Sequence, residues 1–231
     1  YIPPNAAELA ALKEAAKVEA NRKAEQALAI WKAAGPIHGT AAETYLRGRG
    51  ITRELPRTLR YQSECWHSTG KRPAMIAAVQ GTGRACVHRT YLRPDGNGKA
   101  EIEPNKMMLG AASGGAVRLA EAEGPLVVCE GIETGLSLAS GLLRKPATVW
   151  AALSAPGMKS LILPAVSGRL TIATDGDKAG RDAGQALEKV ADVAAGKVAE
   201  AVGRDDVLHV HRVALLGDRE RVALAFAGHR E

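Results

Sequence analysis

Aromatic residues make up only 3% of this 231-residue chain, and just one of them is phenylalanine. So few rings offer no obvious stacking platform for unpaired bases. Tyr61, Trp66 and Tyr91, three of the aromatics of the basic half, are explained equally well by core packing. Cysteine is scarce too. Cys65, Cys86 and Cys129 stand far apart, which excludes a disulfide framework and a zinc ribbon and fits a reducing cytoplasm. No apolar run is long enough to cross a bilayer, so no membrane role is expected. The opening stretch mixes Ala with Lys and Glu and lacks the apolar segment of a secretory leader. The first residue is Tyr1 rather than Met, so a piece of a longer protein is expected. The 25 glycines include none followed by the Lys-Ser/Thr ending of a phosphate-binding P-loop.

What is present is ordinary in bulk and uneven in distribution. The chain is 46% hydrophobic and 24% charged, as globular proteins are, and its length suits one large domain or two small ones. Residues 35–118 carry 13 Lys/Arg against 6 Asp/Glu, whereas residues 119–231 carry 13 against 15. A basic first half beside an acidic second half suits a polyanion held by phosphate contacts, although a charge excess alone is more often a solvated surface.

Residues 4–34 are rich in Ala, Glu, Lys, Leu and Arg and predict one long helix capped by Asn5 and ended by Gly35-Pro36. Thr40 followed by Glu43 predicts a capping box and a helix ending at Gly48 or Gly50. Residues 58–118 read as β-rich, with strands at 59–61, 74–79 and 85–92, and a turn at Pro94–Gly98. From residue 119 to 216 strands and helices alternate. Strands are expected at 126–129, 148–153, 170–174 and 207–215, with helices at 132–143, at 158–163 and from Lys178 to about Val202. That alternation implies right-handed crossovers and a mainly parallel sheet.

Two stretches carry chemistry. Leu126-Val127-Val128-Cys129-Glu130-Gly131-Ile132-Glu133-Thr134 and Leu170-Thr171-Ile172-Ala173-Thr174-Asp175-Gly176-Asp177-Lys178-Ala179-Gly180 are each an apolar run that stops at an acid and turns into a helix. Such acids lie at the carboxyl edge of the sheet, where open α/β sheets place their ligands. Glu130, Asp175 and Asp177 would be hard oxygen donors on one rim, suited to Mg²⁺ or Mn²⁺. Glu133 reads either as a supporting carboxylate or as a first-turn acid stabilised by the helix dipole. Lys178 and Arg181 open the following helix, where they are either phosphate contacts or ordinary solvated charge.

These motifs resemble the Toprim domain of bacterial-type primases, topoisomerases and some nucleases. The wording Asp-Gly-Asp-Lys-Ala-Gly-Arg looks like the primase branch, and Glu-Gly-Ile-Glu-Thr followed by Val149–Ser154 resembles primases of phages and plasmids. The resemblance covers roughly residues 36–216. It implies an α/β fold: a Toprim-type, mainly parallel sheet flanked by helices, preceded by a smaller basic α+β subdomain and an N-terminal helix. The implied divisions are a connector helix at 1–35, a template- and nucleotide-binding subdomain at 36–119, a catalytic domain at 120–216 and a tail at 217–231. The implied activity is a DNA primase, joining ribonucleotides on a single-stranded DNA template with Mg²⁺ or Mn²⁺, with a replicative helicase as a candidate partner. By position Arg89 and Lys106 match an arginine and a lysine that line the family's template and nucleotide channel, with Arg72 and Arg118 as weaker matches. The family's further acidic motif after the last strand has no clear counterpart; Asp218, Asp205 and Asp206 are the nearest acids. Two other readings stay open: a metal-dependent Toprim nuclease, and an inactive module that binds nucleic acid.

Overall fold

Helix α1 (Ala6–Ala33) begins at a capping box: the Asn5 side chain accepts from the Glu8 N–H at 2.9 Å, and the Glu8 carboxylate accepts from the Asn5 N–H at 2.8 Å. The computed structural model describes residues 3–143, 145–164, 169–175, 178–202, 209–216 and 223–226. The first half of α1 is solvated on every side, and only its C-terminal part is seated, through buried Ala27. There the Arg60 guanidinium stacks 4.2 Å over the Trp31 ring and donates to the Trp31 carbonyl at 2.9 Å.

The seat for α1 is an antiparallel sheet. Strand β1 (Gly35–Pro36) leads through helix α2 (Ala41–Gly48) to β2 (Leu59–Cys65), β3 (Arg72–Val79), β4 (Cys86–Tyr91) and β5 (Lys106–Leu109), and the strands lie in that order. Side chains alternate between its faces. Ala74, Ile76, Val87 and Tyr91 pack toward Ala27. Met75, Ala77 and Cys86 pack the other way, with Ala42, Leu46 and Ile51 of the α2 region. The expected capping box at Thr40 does not form. The Thr40 hydroxyl donates to the Ile37 carbonyl at 2.5 Å, and Glu43 accepts instead from the Gly39 N–H at 2.7 Å while pairing with Arg47 at 2.9 Å. A charged donor four residues on competes successfully for that carboxylate.

The second sheet collects β6 (Val117–Ala120), β7 (Leu126–Cys129), β8 (Thr148–Ala151), β9 (Arg169–Asp175), β10 (His209–Leu216) and β11 (Ala223–Phe226) in the order β11-β10-β9-β7-β8-β6. β8, β7, β9 and β10 are parallel, and the outer strands β6 and β11 are antiparallel to their neighbours. Helix α3 (Ile132–Ser137) covers one face; α4 (Ala155–Ser160) and α5 (Lys178–Val202) cover the other, where Val128 and Ile172 meet Met158, Ala183 and Leu187. This is the expected α/β fold, with three changes of detail. The 132–143 helix is α3 plus a wide π-type turn (Leu138–Leu142), ended where Gly141 takes φ 132°. The short helix begins earlier than expected because Ser154 caps it, accepting from the Gly157 N–H at 3.0 Å, with Pro156 in its first turn. The expected tail adds the edge strand β11.

The two sheets share one core. Met75 and Ala77 of the first lie in the same buried cluster as Val127, Cys129, Leu136 and Val149 of the second. A two-bond bridge between Gln80 and Ala116 joins their backbones at 2.8 and 2.9 Å.

Gly135 sets how closely α3 sits on the sheet. A Cβ there would fall 2.5 Å from Leu119 Cδ1 and 2.8 Å from Cys129 Sγ, both in fully buried side chains. Gly135→Ala is therefore expected to destabilise the protein by about 1–3 kcal/mol through overpacking, read as a lower urea midpoint. An unchanged midpoint would mean that α3 is not seated this tightly.

Candidate functional site

The carboxyl rim of the parallel sheet gathers the acids. Cys129 of β7 is in register with Ala173 of β9. One residue further each chain reaches Glu130 and Thr174, and then β9 ends at Asp175, level with Leu215 of β10. Adjacent strands lie about 4.8 Å apart, so the Glu130 and Asp175 backbones are neighbours on one edge. The Glu130 backbone is held from the other side too. Its carbonyl accepts from the Leu153 N–H at 2.7 Å, and the Cys129 carbonyl accepts from the Ala152 N–H at 2.9 Å. Leu153 has φ 72°, a left-handed conformation that costs a branched side chain energy.

At Asp175 the structure describes the backbone. Asp177, Asp205, Asp206 and Asp218 lie outside the described residues. Lys178 is the exposed first residue of α5. Among the described residues no three His, Cys, Asp or Glu side chains converge as a metal cluster.

The most heavily engaged acid is Glu133, in the first turn of α3. Its carboxylate accepts from the Tyr45 hydroxyl at 2.9 Å and lies 3.3 Å from Lys106 Nζ and 3.8 Å from Lys99 Nζ. The three partners come from α2, from β5 and from the segment before it. Burial opposes the Glu133 charge, but the Lys106 and Lys99 ammonium groups and the Tyr45 hydrogen bond overcome it and hold the carboxyl down at about 2. Burial and then the Glu133 charge push the Tyr45 hydroxyl up, so it remains a donor. Burial and then the Lys106 charge lower Lys99.

Lys99 reaches this carboxylate because the turn before it lies against α2. Gly96 has φ 73°, and a Cβ there would come 2.6 Å from the Ala41 carbonyl. Only glycine permits that approach. Sequence reading had considered Glu133 in a supporting role, but neither Tyr45 nor Lys99 stood out. A tyrosine in an amphipathic helix and a lysine after a turn carry no pattern that announces a shared partner.

The basic residues expected in a channel separate onto two faces of the first sheet. Lys106 pairs with Thr90 in the β4–β5 register and reaches Glu133. Arg89 alternates to the opposite face, where it is 4% exposed and Nη1 donates to the Trp66 carbonyl at 3.3 Å. The Tyr91 hydroxyl donates to the same carbonyl at 2.6 Å. Arg72 shares the Arg89 face by alternation along β3. Strand alternation thus puts Arg89 and Arg72 on the face of the first sheet opposite Lys106. Arg118 lies on the second sheet, 5.2 Å over the Trp150 ring. Trp66 departs from the packing expectation, its residue being 62% exposed.

His88 lies on the Lys106 side of β4 and is buried. Burial, and then the Lys106 charge, push its imidazole down to about 4 from 6.5, so it is neutral at pH 7. The unfolded chain takes up this proton below its ordinary value and the folded one resists until about 4. The linked stability is therefore complete above pH 6.5 and falls as pH drops toward 4, by up to about 3 kcal/mol. Glu133, depressed from 4.5, loses its own contribution only below pH 4.5. Melting temperatures measured between pH 7 and 4.5 should fall less steeply for His88→Gln than for the parent; equal slopes would mean that His88 is not the buried neutral group described.

A family model of the Toprim domain matches residues 125–218, and a domain of unknown function (DUF7146) matches residues 21–119. No curated protein matches the sequence. Solved structures similar to this chain at low identity include two primase domains. A DNA primase domain from Pseudomonas aeruginosa has 17% identity and a TM-score of 0.48, with 86% of this chain and 72% of that one covered. The E. coli primase catalytic core has 13% identity and a TM-score of 0.40, with 78% and 66% covered. The parallel sheet order and the strand-end positions of Glu130 and Asp175 agree with the match of residues 125–218 to the Toprim domain.

Proposed function

We propose that this chain is the catalytic core of a DNA primase of the phage and plasmid type, making short RNA primers on single-stranded DNA. The observation that carries this reading is the convergence at one sheet edge. Register brings the Glu130 and Asp175 backbones together, and the lysines of the basic unit reach Glu133, three residues beyond Glu130. The divisions proposed are a connector at 1–35, a template- and nucleotide-binding unit at 36–119, a catalytic unit at 120–216 and a tail at 217–231.

Glu130, Asp175 and Asp177 are the residues proposed to hold Mg²⁺ or Mn²⁺; all three are hard oxygen donors, which fits either ion. When bound, the ion would neutralise charge on the transferring phosphate. The chain's own task is positioning, since phosphoryl transfer needs alignment and charge neutralisation more than covalent help. Lys106 and Lys178 are assigned to phosphate groups of nucleotide and template. Arg89 enters as a support for the Trp66 backbone rather than as a ligand, and Arg72 belongs with it on that face. A cytoplasmic setting and a helicase partner complete the proposal.

The test is primer synthesis from labelled ribonucleoside triphosphates on single-stranded DNA with Mg²⁺ or Mn²⁺. Short products from the parent are expected, with losses on the order of a hundredfold or more for Glu130→Ala and Asp175→Ala. Lys106→Ala should raise KM for nucleotide about tenfold, the loss of one charged hydrogen bond. Template breakdown without nucleotides would transfer the assignment to a nuclease. Binding without turnover, unchanged when Mg²⁺ is withdrawn, would leave an inactive nucleic-acid-binding module.

A further inference from the structure

We infer that Glu133 is a positioning residue, which with Tyr45 holds the Lys106 and Lys99 ammonium groups ready for the phosphates of a nucleoside triphosphate. The inference rests on the proposed primase reading for the identity of the substrate, but its geometry stands apart from that reading.

Three observations support it. First, two cations, Lys99 and Lys106, share the Glu133 carboxylate. Second, the cluster's exposure is graded. The Glu133 side chain is 10% exposed, whereas those of Lys99 and Lys106 are 34% and 38% exposed. Each ammonium has three N–H donors. Third, the carboxylate is itself oriented, because the buried Tyr45 hydroxyl donates to Oε1 at 2.9 Å.

A buried ion pair adds little net stability compared with apolar packing, so its stronger effect is on geometry. A free lysine loses much rotamer freedom on gripping an anion; one already held by Glu133 loses it during folding instead. Glu133 is also three residues from Glu130, so the short strand-to-helix turn that carries both sets the spacing between the lysines and the strand-end acid. In this arrangement Tyr45 orients Glu133, Glu133 orients the lysines, and the lysines meet the phosphates.

The experiment uses inorganic tripolyphosphate with Mg²⁺ as the probe, titrated calorimetrically into the full chain. The parent binds, and Glu133→Gln binds about tenfold more weakly. Glu133→Asp, which keeps the charge, recovers part of the loss. Tyr45→Phe weakens binding by a smaller factor and carries the test if Glu133→Gln does not fold. In a Lys99→Ala/Lys106→Ala background, Glu133→Gln adds no further loss, an outcome that a merely structural role would not produce. In primer synthesis Glu133→Gln raises KM for nucleotide and leaves kcat within about twofold. Unchanged or tighter tripolyphosphate binding by a folded Glu133→Gln would overturn the inference, the tighter case showing that Glu133 competes with phosphate. A parent that fails to bind the probe would overturn it as well. A parent that binds the probe in this way but makes no primers would overturn the primase reading and leave the positioning role standing.

Discussion

Strand β7 is buried on both faces, and the architecture of the second half follows from that constraint. Its alternate residues serve different layers: Val127 and Cys129 face α3 and the first sheet, while Leu126 and Val128 face α4 and α5. A strand with no solvated face needs cover above and below, and the parallel crossovers of an α/β sheet supply it with helices. β8 and β9 supply those neighbours in matched register. Once the register is set, the residues just past the strand ends have no choice of edge. Glu130 and Asp175 meet there because of burial several residues earlier, without any attraction between two acids.

The same core joins the basic unit to the carboxyl edge of the second sheet. Polar contacts then refine what apolar packing allows. Gly96 lets a turn rest against α2, Gly135 lets α3 approach the sheet, and the Glu133 carboxylate closes the gap between them. Taking a carboxylate out of water is costly unless cations and hydrogen bonds surround it. Glu133 has both. The charge asymmetry visible in the composition thus acquires a location: positive groups of the first unit sit beside the first turn that follows the β7 acid.

Much of this was legible before any coordinates. Strand and helix periodicities located the four parallel strands of the second sheet, because buried runs that stop at an acid before a glycine turn are strong local signals, but not its outer strands β6 and β11. Breaks controlled by tertiary packing were less visible. The helix after Glu130 stops early at Gly141, and the Thr40 capping box gives way to a Glu43–Arg47 pair. Tyr91 proved to be core, whereas Trp66, with the same composition-level reading, is mostly exposed.

The sequence by itself determined the alternation of strands and helices, the strand-end placement of Glu130 and Asp175, and the basic character of the first half, since each depends on local periodicity or simple charge. Only the tertiary structure decided which basic residues share a face with Glu133. Arg89 and Lys106 look equivalent along the chain, yet strand alternation turns Arg89 toward Trp66 and leaves Lys106 facing Glu133. The bond from Tyr45 to Glu133 spans 88 residues. Periodicity tells which face of an element a side chain occupies; what it meets there depends on how that face is covered by chain from elsewhere.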